Sequence, residues 1–452
     1  MQRAKKSSLP ILLILSSTLL FWGLGTGSLT SWDEALYAQV SKEILASGNW
    51  VDLTLRGAPW SDKPPLYMWA TVIAYKIFGV NEFSVRFFSA VCGIGNILVV
   101  YLLCVRLYSR RAAFCAGLLL LSTWHFFWSS RVGMLDSAFS LFIGLSLLFL
   151  KLGEQKNIYL AFLPVAFGAA FLTKGVGALL VIFIITAYLI CTKQLKLLGC
   201  RSFMVGSVVA LVVFGWWHYC VFSHYGNDFV KGYIDKNLFI RTTTAIEGHV
   251  GDVFTYFRVL PNKGRPWGAF AFLAVPFALW QVLARKEKEH LLPLIWLLGV
   301  FAVATAVKTK LHWYIVALYP ASSILIAGAF SKLFRKFTVP VVIALTTAAF
   351  IYLAADKEIF NLDYTHDTKA IARDIRNALP KHTKIYSYNI FDPALYFYCS
   401  DIQTNIGDTE FIKLRSKKNS YFLFERKIFD DLNKDRFSVV AENSAFVAVR
   451  IR

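Results

Sequence analysis

Residues 203–222, FMVGSVVALVVFGWWHYCVF, form a run of twenty positions without an Asp, Glu, Lys or Arg side chain. A helix needs about 20 predominantly apolar residues to cross a bilayer, so this run predicts a transmembrane helix. Ten further apolar runs lie near 9–29, 84–105, 112–128, 135–150, 158–172, 176–192, 267–284, 291–307, 311–330 and 337–355. The sequence thus predicts an α-helical polytopic membrane protein with about eleven transmembrane helices.

The composition is that of a membrane protein, and the distribution of charge argues against nucleic-acid binding. Hydrophobic residues make up 56% of the 452 residues, and the mean hydropathy is +0.52. The formal net charge is +20, but residues 356–452 are nearly neutral, with 16 basic and 14 acidic side chains. The other 32 basic and 14 acidic side chains lie elsewhere, and most of this excess is in short loops between apolar runs. That pattern is typical of membrane topology, so we expect no nucleic-acid partner.

Basic residues in the loops predict the orientation of the chain. With the N-terminus in the cytoplasm, 17 basic residues fall on the inner side and only four on the short outer connections. The positive-inside rule then places the C-terminus outside. The first run follows Arg3, Lys5 and Lys6 as in a signal peptide, but it lacks a small-x-small cleavage site. We therefore expect an uncleaved anchor in the cytoplasmic membrane.

Three outer segments, 30–83, 223–266 and 356–452, are too long to be simple connections. The last predicts a small extracytoplasmic α/β domain, separate from a transmembrane domain over 1–355. Its helix is expected over His366–Leu379, and its strands over Lys384–Tyr388, Tyr421–Phe424, Phe437–Val440 and Ala445–Val449. We also expect helices in the outer loops.

Polar side chains that are able to bind ligands or take part in catalysis fall on the outer face in this topology. They include Asp33 and Glu34 after the first run, Asp62 and Lys63 in the first outer loop, Asp235, Lys236, Asn237 and Arg241 in the second, and Arg131, Asp136, Lys174, Lys308, Lys310, His312 and Tyr314 at the shorter connections. Outer loops must be polar somewhere, so any one of these residues could be incidental. Their convergence on one face favours a site.

Individual residues also allow structural roles. Asp33 fits a general base, but it also fits a cap for a helix that runs to Ala46. Lys63 could bind a phosphate or anchor the chain at phospholipid headgroups, and Asp136 could cap its own helix. His312 is expected in an interfacial aromatic cluster, and His218 is expected to pack or hydrogen-bond locally.

The first outer loop resembles that of a known family. Asp33-Glu34-Ala35-Leu36-Tyr37-Ala38, Gly48-Asn49-Trp50, Asp62-Lys63-Pro64-Pro65-Leu66, Phe78-Gly79 and Arg86 are similar to this loop in C-type glycosyltransferases of the protein O-mannosyltransferase-like superfamily. The aminoarabinose transferases of lipid A are the nearest in pattern. The similarity is strongest over 31–90 and recurs at Arg131–Asp136, Thr173–Gly175 and Lys308–Pro320.

The resemblance implies an inverting transfer of a sugar from a polyprenyl-phosphate carrier, with membrane lipids around the enzyme. It implies that Asp33 is catalytic and that Lys63, with Arg241, holds the donor phosphate. We take Asp136 as a second catalytic candidate, and our further substrate-binding candidates are Glu34, Tyr37, Arg131, Lys174, Lys308, Lys310 and Tyr314.

The resemblance also raises the question of a metal. Asp62 stands where the aminoarabinose transferases have an acidic ligand of a divalent metal, but their Glu-His pair appears here as Asp235-Lys236. Their arginine shortly after Asp-Glu is Leu36. We therefore expect no required cofactor, with Asp62 or His249 as the residues that would hold a metal if one is used.

Two other functional classes remain open. A secondary transporter would also have many spans, but its ionisable groups would lie near the bilayer midplane. A non-catalytic protein that binds sugar-lipids would need the cations but not Asp33. No Gly-x-x-x-x-Gly-Lys loop occurs, which argues against a nucleotide at the site. The sequence leaves open which sugar is moved, and whether the acceptor is lipid A, a glycan or a protein.

Overall fold

The computed structural model describes residues 8–452 except 246–247, 357–359, 381–382, 400–401, 416, 418 and 433. The described helices are α1 Leu9–Phe21, α2 Asp33–Ser47, α3 Leu66–Phe78, α4 Glu82–Leu107, α5 Arg110–Leu121, α6 Trp124–Ser129, α7 Asp136–Gly153, α8 Phe162–Lys174, α9 Leu179–Thr192, α10 Arg201–Tyr225, α11 Asn227–Phe229, α12 Arg241–Thr243, α13 Thr255–Lys263, α14 Gly268–Leu283, α15 Leu291–Ala306, α16 Tyr319–Leu333, α17 Thr338–Ala354, α18 His366–Ala378, α19 Pro393–Tyr398, α20 Asp408–Leu414 and α21 Arg426–Asp430. The strands are β1 Thr54–Leu55, β2 Ala58–Pro59, β3 Ile385–Tyr388, β4 Ile402–Ile406, β5 Tyr421–Glu425, β6 Phe437–Glu442 and β7 Phe446–Ile451.

The helical part is a membrane bundle, as predicted. Among the described residues, seven helical segments are long and apolar enough to cross a bilayer, and α13 with α14, bent by 115°, would make an eighth. The predicted runs 158–172 and 176–192 both lie in one of these segments, Asn157–Thr192, and the run 9–29 begins with the shorter helix α1. The predicted fold class is confirmed, while the number of eleven spans stays a prediction.

Helix α1 belongs to the bundle, since its Leu12 and Leu20 are fully buried in the main apolar core. Helix α4 crosses the same core over 26 residues. It begins at a capping box in which the Asn81 side chain accepts from the Ser84 amide and the Ser84 hydroxyl accepts from the Asn81 amide. These bonds satisfy amides that would otherwise lack partners, and they fix where the first outer loop ends.

The C-terminal part contains a five-stranded mixed sheet with the strand order β4-β3-β5-β7-β6. Strand β3 is parallel to β4 and to β5, whereas β7 is antiparallel to β5 and β6. The predicted helix and the four predicted strands are present within one or two residues. The sequence does not predict strand β4, because IQTNI has three consecutive polar residues between its two isoleucines and lacks the aromatic residues of β5.

The C-terminal part packs directly on the first outer loop. Leu29 donates its amide to the Tyr398 hydroxyl at 2.8 Å, and Lys42 of α2 donates to the Phe397 carbonyl at 3.1 Å. Gly27, at φ +79°, approaches the Leu362 carbonyl so closely that a Cβ atom would lie 2.5 Å from its oxygen. These contacts hold the segment that leads into α2 and hence the position of Asp33.

Candidate active site

A cavity of about 630 Å³ lies between one set of ends of the bundle helices and the segments predicted to be the first two outer loops. Part of its wall is polar and is formed by Asp33, Lys63, Asp136, Lys174, Asn237, Arg241 and Tyr314. Another part is apolar and is formed mainly by Leu179, Leu180 and Phe183 of α9 and by Val300, Val303 and Ala304 of α15. Phe183 and Val303 are about half exposed, so the apolar part of the wall is accessible. The cavity therefore joins a charged chamber to an apolar groove.

Asp33 opens α2 and lies on the wall of the charged chamber. Burial has the largest effect on this carboxyl and raises its pKa above the ordinary value. The second largest effect comes from the Lys63 ammonium, which acts to lower the pKa. Asp136 raises the pKa further, because two carboxylates in one site disfavour each other's ionisation. The structure shows no side-chain cap from Asp33 to its own helix, since the residue preceding it occupies the cap position. A carboxyl with a raised pKa at the wall of a cleft suits a general base.

Lys63 faces Asp33 across the chamber and is held by the second outer loop. Its ammonium donates to the Asn237 side-chain oxygen at 3.3 Å, and the Asn237 amide donates to the Asp62 carbonyl at 3.2 Å. Asn237 lies in a π-helix, Val230–Ile240, a conformation that is rare outside functional sites. Burial, and then the nearby Arg241, lowers the pKa of Lys63 to about 8. An anion in the chamber would stabilise the Lys63 ammonium and so raise its pKa again.

Lys174 and Arg241 complete the group of cations. Lys174 forms an ion pair with Asp136, which is 3% exposed, and its ammonium lies 5.3 Å from the centre of the Tyr314 ring. Arg241 donates to the Tyr314 hydroxyl at 3.4 Å. Three cations and two carboxylates thus share the chamber, and the excess positive charge suits a phosphate.

The turn after Lys174 is shaped by Gly175. This glycine has φ +59°, and a Cβ atom there would lie 2.5 Å from the Tyr233 hydroxyl. Tyr233 belongs to the π-helix and also hydrogen-bonds to His218 at 3.2 Å. The predicted Thr173-Lys174-Gly175 element is therefore packed against the loop that carries Asn237 and Arg241.

Tyr37 also lines the chamber, one turn after Asp33 on α2. Its side chain is 2% exposed and its ring packs near Trp60 and Tyr67. Burial, followed by Asp33, raises the pKa of its phenol, so the hydroxyl is a neutral donor or acceptor.

Two predicted substrate-binding residues lie outside the cavity wall. Glu34 is fully buried and accepts from Arg86 at 2.7 Å and from the Gly133 amide at 2.9 Å. Arg131 is fully buried as well and donates to the Trp22 carbonyl, and burial lowers its pKa to about 10. Both residues are therefore held in buried contacts of the scaffold and are not among the residues that line the chamber.

Lys308 and Lys310 line a neighbouring cavity of about 670 Å³ with Asp252 and Phe257. The Lys310 ammonium donates to the carbonyls of Thr305 and Val307, both at 2.5 Å, and so caps the end of α15. The structure therefore places this pair beside the charged chamber, with Lys310 already occupied in a helix cap.

The residues near Asp62 do not fit a divalent metal. The Asp62 carboxylate is paired with the Lys236 ammonium at 2.8 Å, in the place where a histidine ligand was expected. Among the described residues, the group of His, Cys, Asp and Glu side chains close enough to hold an ion is Glu287, Glu289 and His290, far from this loop in the sequence and on the predicted inner side. We therefore derive no step through a metal.

Two cavity residues have no binding role assigned from the sequence. Trp32 precedes Asp33 and is 62% exposed, and Asn237 comes from the second outer loop, as does His249, the alternative metal ligand. The sequence places Asn237 among the polar residues of that loop but does not predict its contact with Lys63, which depends on a loop about 175 residues away. His312 lies in an aromatic cluster, as expected, with its ring 4.7 Å from that of Trp313.

Comparisons with known proteins agree with the fold and with the family resemblance. The family described as "Dolichyl-phosphate-mannose-protein mannosyltransferase" matches residues 62–219. An uncharacterised protein of Aquifex aeolicus is 30% identical over 321 residues, which cover 70% of this chain and 62% of that protein. The undecaprenyl phosphate-α-4-amino-4-deoxy-L-arabinose arabinosyl transferase 2 of Pseudomonas fluorescens is 28% identical, covering 71% of this chain and 56% of that enzyme. The chain thus spans about three fifths of the length of these two relatives.

A solved structure resembles the whole chain. The crystal structure of ArnT from Cupriavidus metallidurans bound to undecaprenyl phosphate superposes with a TM-score of 0.81 at 20% identity, covering 99% of this chain and 98% of that one. The resemblance expected from residues 31–90 is confirmed. The chain has the fold of the protein O-mannosyltransferase-like membrane glycosyltransferases, and its sequence is related to theirs, with aminoarabinose transferases among its relatives.

Proposed function

We propose that the chain is an inverting glycosyltransferase that moves a sugar from a polyprenyl-phosphate carrier to an acceptor on the outer face of the cytoplasmic membrane. The acceptor group is a hydroxyl or phosphate of lipid A, a glycan or a protein. The observation that carries this proposal is the cavity, in which three cations and a carboxylate of raised pKa adjoin an apolar groove.

The two parts of the cavity wall match the two parts of such a donor. The isoprenoid chain would lie in the apolar groove between α9 and α15, where it contacts Leu180, Phe183 and Val303. The phosphate would lie among Lys63, Lys174 and Arg241. The related Pseudomonas enzyme is named for an undecaprenyl phosphate-linked sugar, and the similar Cupriavidus structure holds undecaprenyl phosphate.

The cations would lower the barrier by stabilising the departing phosphate. When the bond between the anomeric carbon and the phosphate oxygen breaks, negative charge develops on that oxygen. Lys63 and Arg241 are already positioned by Asn237 and Tyr314, so little reorganisation is needed as the charge appears. Lys174 is paired with Asp136 and would shift part of its interaction to the phosphate.

Asp33 would act as the general base. The acceptor hydroxyl attacks the anomeric carbon from the side opposite the phosphate, and its proton passes to the Asp33 carboxylate. The products are the inverted glycoside, the polyprenyl phosphate and a protonated Asp33, which then loses its proton to water. General base catalysis of this kind contributes roughly 10²–10⁴-fold.

The rival classes fit the cavity less well. A transporter would carry ionisable groups along a path across the bundle, whereas Lys63 and Arg241 lie in outer loops beyond the apolar helices. A sugar-lipid-binding protein would need the cations, but it would have no use for a carboxyl of raised pKa beside them.

We also propose the predicted topology, with the N-terminus inside, the C-terminal part outside and a domain boundary near 355.

The test is a transfer assay on the purified full chain in nanodiscs, with polyprenyl-phosphate sugar as donor and an envelope extract as acceptor source. Release of polyprenyl phosphate and appearance of sugar in the extract should both occur, and both should fall strongly in Lys174→Ala. Sugar accumulating inside sealed proteoliposomes without any transfer product would support a transporter and contradict the proposal.

A further inference from the structure

Two large exposed aromatic side chains are in contact beside the charged chamber, and one of them, Trp32, lines it. Trp32 is 62% exposed and Phe391 is 53% exposed, with their ring centres 5.9 Å apart and a tilt of 43° between the ring planes. Trp32 comes from the first outer loop and Phe391 from the C-terminal part. Exposed aromatic surface shared between two parts of a chain commonly marks a binding site.

Hydrogen bonds on both sides hold this aromatic pair in place. The residues that precede Trp32 and follow Phe391 are joined, since the Ser31 hydroxyl donates to the Asp392 carboxylate at 2.6 Å. Asp392 also accepts from the Thr368 hydroxyl at 3.0 Å. The Trp32 carbonyl accepts from the amide of the fourth residue along, at 2.9 Å, which ties it to α2. The two rings are therefore positioned before any ligand arrives, which reduces the entropic cost of binding.

The position of the pair beside the proposed base indicates which substrate it would contact. Trp32 lines the chamber and directly precedes Asp33, whereas Phe391 belongs to the C-terminal part and is in ring contact with Trp32. In the proposed function the isoprenoid chain of the donor lies against α9 and α15, which contribute neither of these rings. The aromatic pair is thus available to an acceptor that approaches Asp33.

We propose that Trp32 and Phe391 form a platform that binds a sugar ring of a saccharide acceptor and presents its hydroxyl to Asp33. This inference rests on the proposed function and adds to it the chemical class of the acceptor. The electron-rich face of an aromatic ring attracts the partly positive C–H groups on the flat face of a sugar. The hydroxyl groups at the edge of the same sugar would then lie toward the carboxylate.

The polar border of the platform favours a sugar over a lipid chain. The chain neighbours of the two rings, Ser31, Asp33 and Asp392, are polar, and Ser31 already donates to Asp392. An acyl chain lying over such groups would desolvate them without compensation, whereas the hydroxyls of a sugar can hydrogen-bond to them. A Ser or Thr side chain of a protein acceptor has no flat apolar face to cover two rings. The platform therefore matches a glycan, or the sugar part of a glycolipid.

The experiment compares acceptor KM with donor affinity in matched variants of the full chain in nanodiscs. The acceptor is an envelope glycolipid extract, and methyl pyranosides serve as soluble competitors. We expect Trp32→Ala and Phe391→Leu each to raise the apparent acceptor KM about tenfold and to weaken competition by methyl pyranosides equally. Trp32→Phe, which keeps an aromatic face, should retain most of the acceptor affinity. The donor Kd should change less than about twofold in all of them.

Each other outcome has a definite meaning. An unchanged KM in Phe391→Leu would show that apolar volume suffices and would overturn sugar stacking in favour of a lipid chain. A donor Kd that rises with the acceptor KM would show that the rings bind the donor's sugar. Dependence on the rings only with a Ser/Thr peptide as acceptor would overturn the saccharide class. Absence of transfer in the wild-type chain, with methyl pyranosides still bound, would contradict the proposed function and not the platform.

Discussion

Glu34 and Arg86 form a fully buried ion pair, with 2.7 Å between Oε1 of the carboxylate and Nε of the guanidinium. Arg86 also donates to the carbonyls of Thr26, Ser28 and Leu362, so one side chain joins α4, the start of the first outer loop and the segment before the C-terminal part. Because Asp33 directly precedes Glu34, this pair fixes the position of the proposed base.

The first prediction concerns this pair. Glu34→Gln leaves the Arg86 guanidinium buried without its counter-charge, so we expect the free energy of unfolding to fall by about 3–5 kcal/mol. Thermal unfolding of the purified variant in detergent measures this. Asp252→Asn, which breaks the exposed pair with Arg258, is the matched control and should change the melting temperature little. Similar melting temperatures for both variants would contradict the scaffold role of Glu34.

The second prediction concerns the pH dependence of donor binding. Burial and Arg241 lower the pKa of Lys63 to about 8, and a bound phosphate would raise it, because the anion stabilises the ammonium. Donor affinity should therefore be full below pH 8 and should weaken by up to about tenfold per pH unit above it.

Substitutions separate Lys63 from other groups that titrate. Lys63→Arg should remove the pH dependence near 8 while keeping part of the affinity, since a guanidinium stays charged there. Lys63→Ala should weaken donor binding strongly at all pH values. Isothermal titration with polyprenyl phosphate from pH 6.5 to 9.5 gives both results, and an unchanged affinity in Lys63→Ala would reduce this residue to a membrane anchor.

The third prediction concerns metal. The Asp62 carboxylate forms an ion pair with the Lys236 ammonium, which stands where a metal would bind. Transfer should therefore survive treatment with a chelator. Metal analysis of the purified chain should find no stoichiometric divalent ion at this loop. Loss of turnover on chelation, restored by zinc and abolished in His249→Ala, would show that His249 supplies a ligand and that this expectation is wrong.

The sequence predicts those parts of the site that depend on neighbours along the chain. Asp33 and Lys174 stand at the ends of apolar runs, so the topology alone brings them to one face. The role of Glu34 could not be predicted, because its partner Arg86 lies 52 residues away in an otherwise apolar run. Asn237 was not assigned for a similar reason, since its contact with Lys63 depends on a π-helix that no local pattern indicates. The roles of such residues depend on packing between segments that are distant in the sequence.

The fourth prediction concerns topology. Because 17 basic residues fall in the inner loops and four in the short outer connections, reporter fusions after Arg111, Lys196 and Lys336 should be cytoplasmic. A fusion at Arg452 should be outside, and the C-terminal part should be cleaved by protease added from that side. A cytoplasmic signal at Arg452 would separate the C-terminal part from Asp33 and contradict the proposed site.

The central claim is that Asp33 accepts the proton of the acceptor hydroxyl, and the transfer rate of Asp33→Asn tests it most directly. The asparagine keeps the size of the side chain but is not a base, so turnover should fall by roughly two to four orders of magnitude. In the wild type, burial and Asp136 raise the pKa of Asp33, so the rate should fall with decreasing pH at values above the ordinary range for an aspartate.

The decisive measurement is the single-turnover rate of Asp33→Asn in nanodiscs, taken with donor Kd and melting temperature on the same preparation. Asp136→Asn is the matched variant, because it removes the other carboxylate of the chamber and leaves the proposed base in place. Our account predicts normal folding and donor binding in Asp33→Asn with transfer reduced at least about a hundredfold. A variant that folds, binds donor and transfers sugar within about tenfold of the wild-type rate would contradict the assignment of Asp33 as the base.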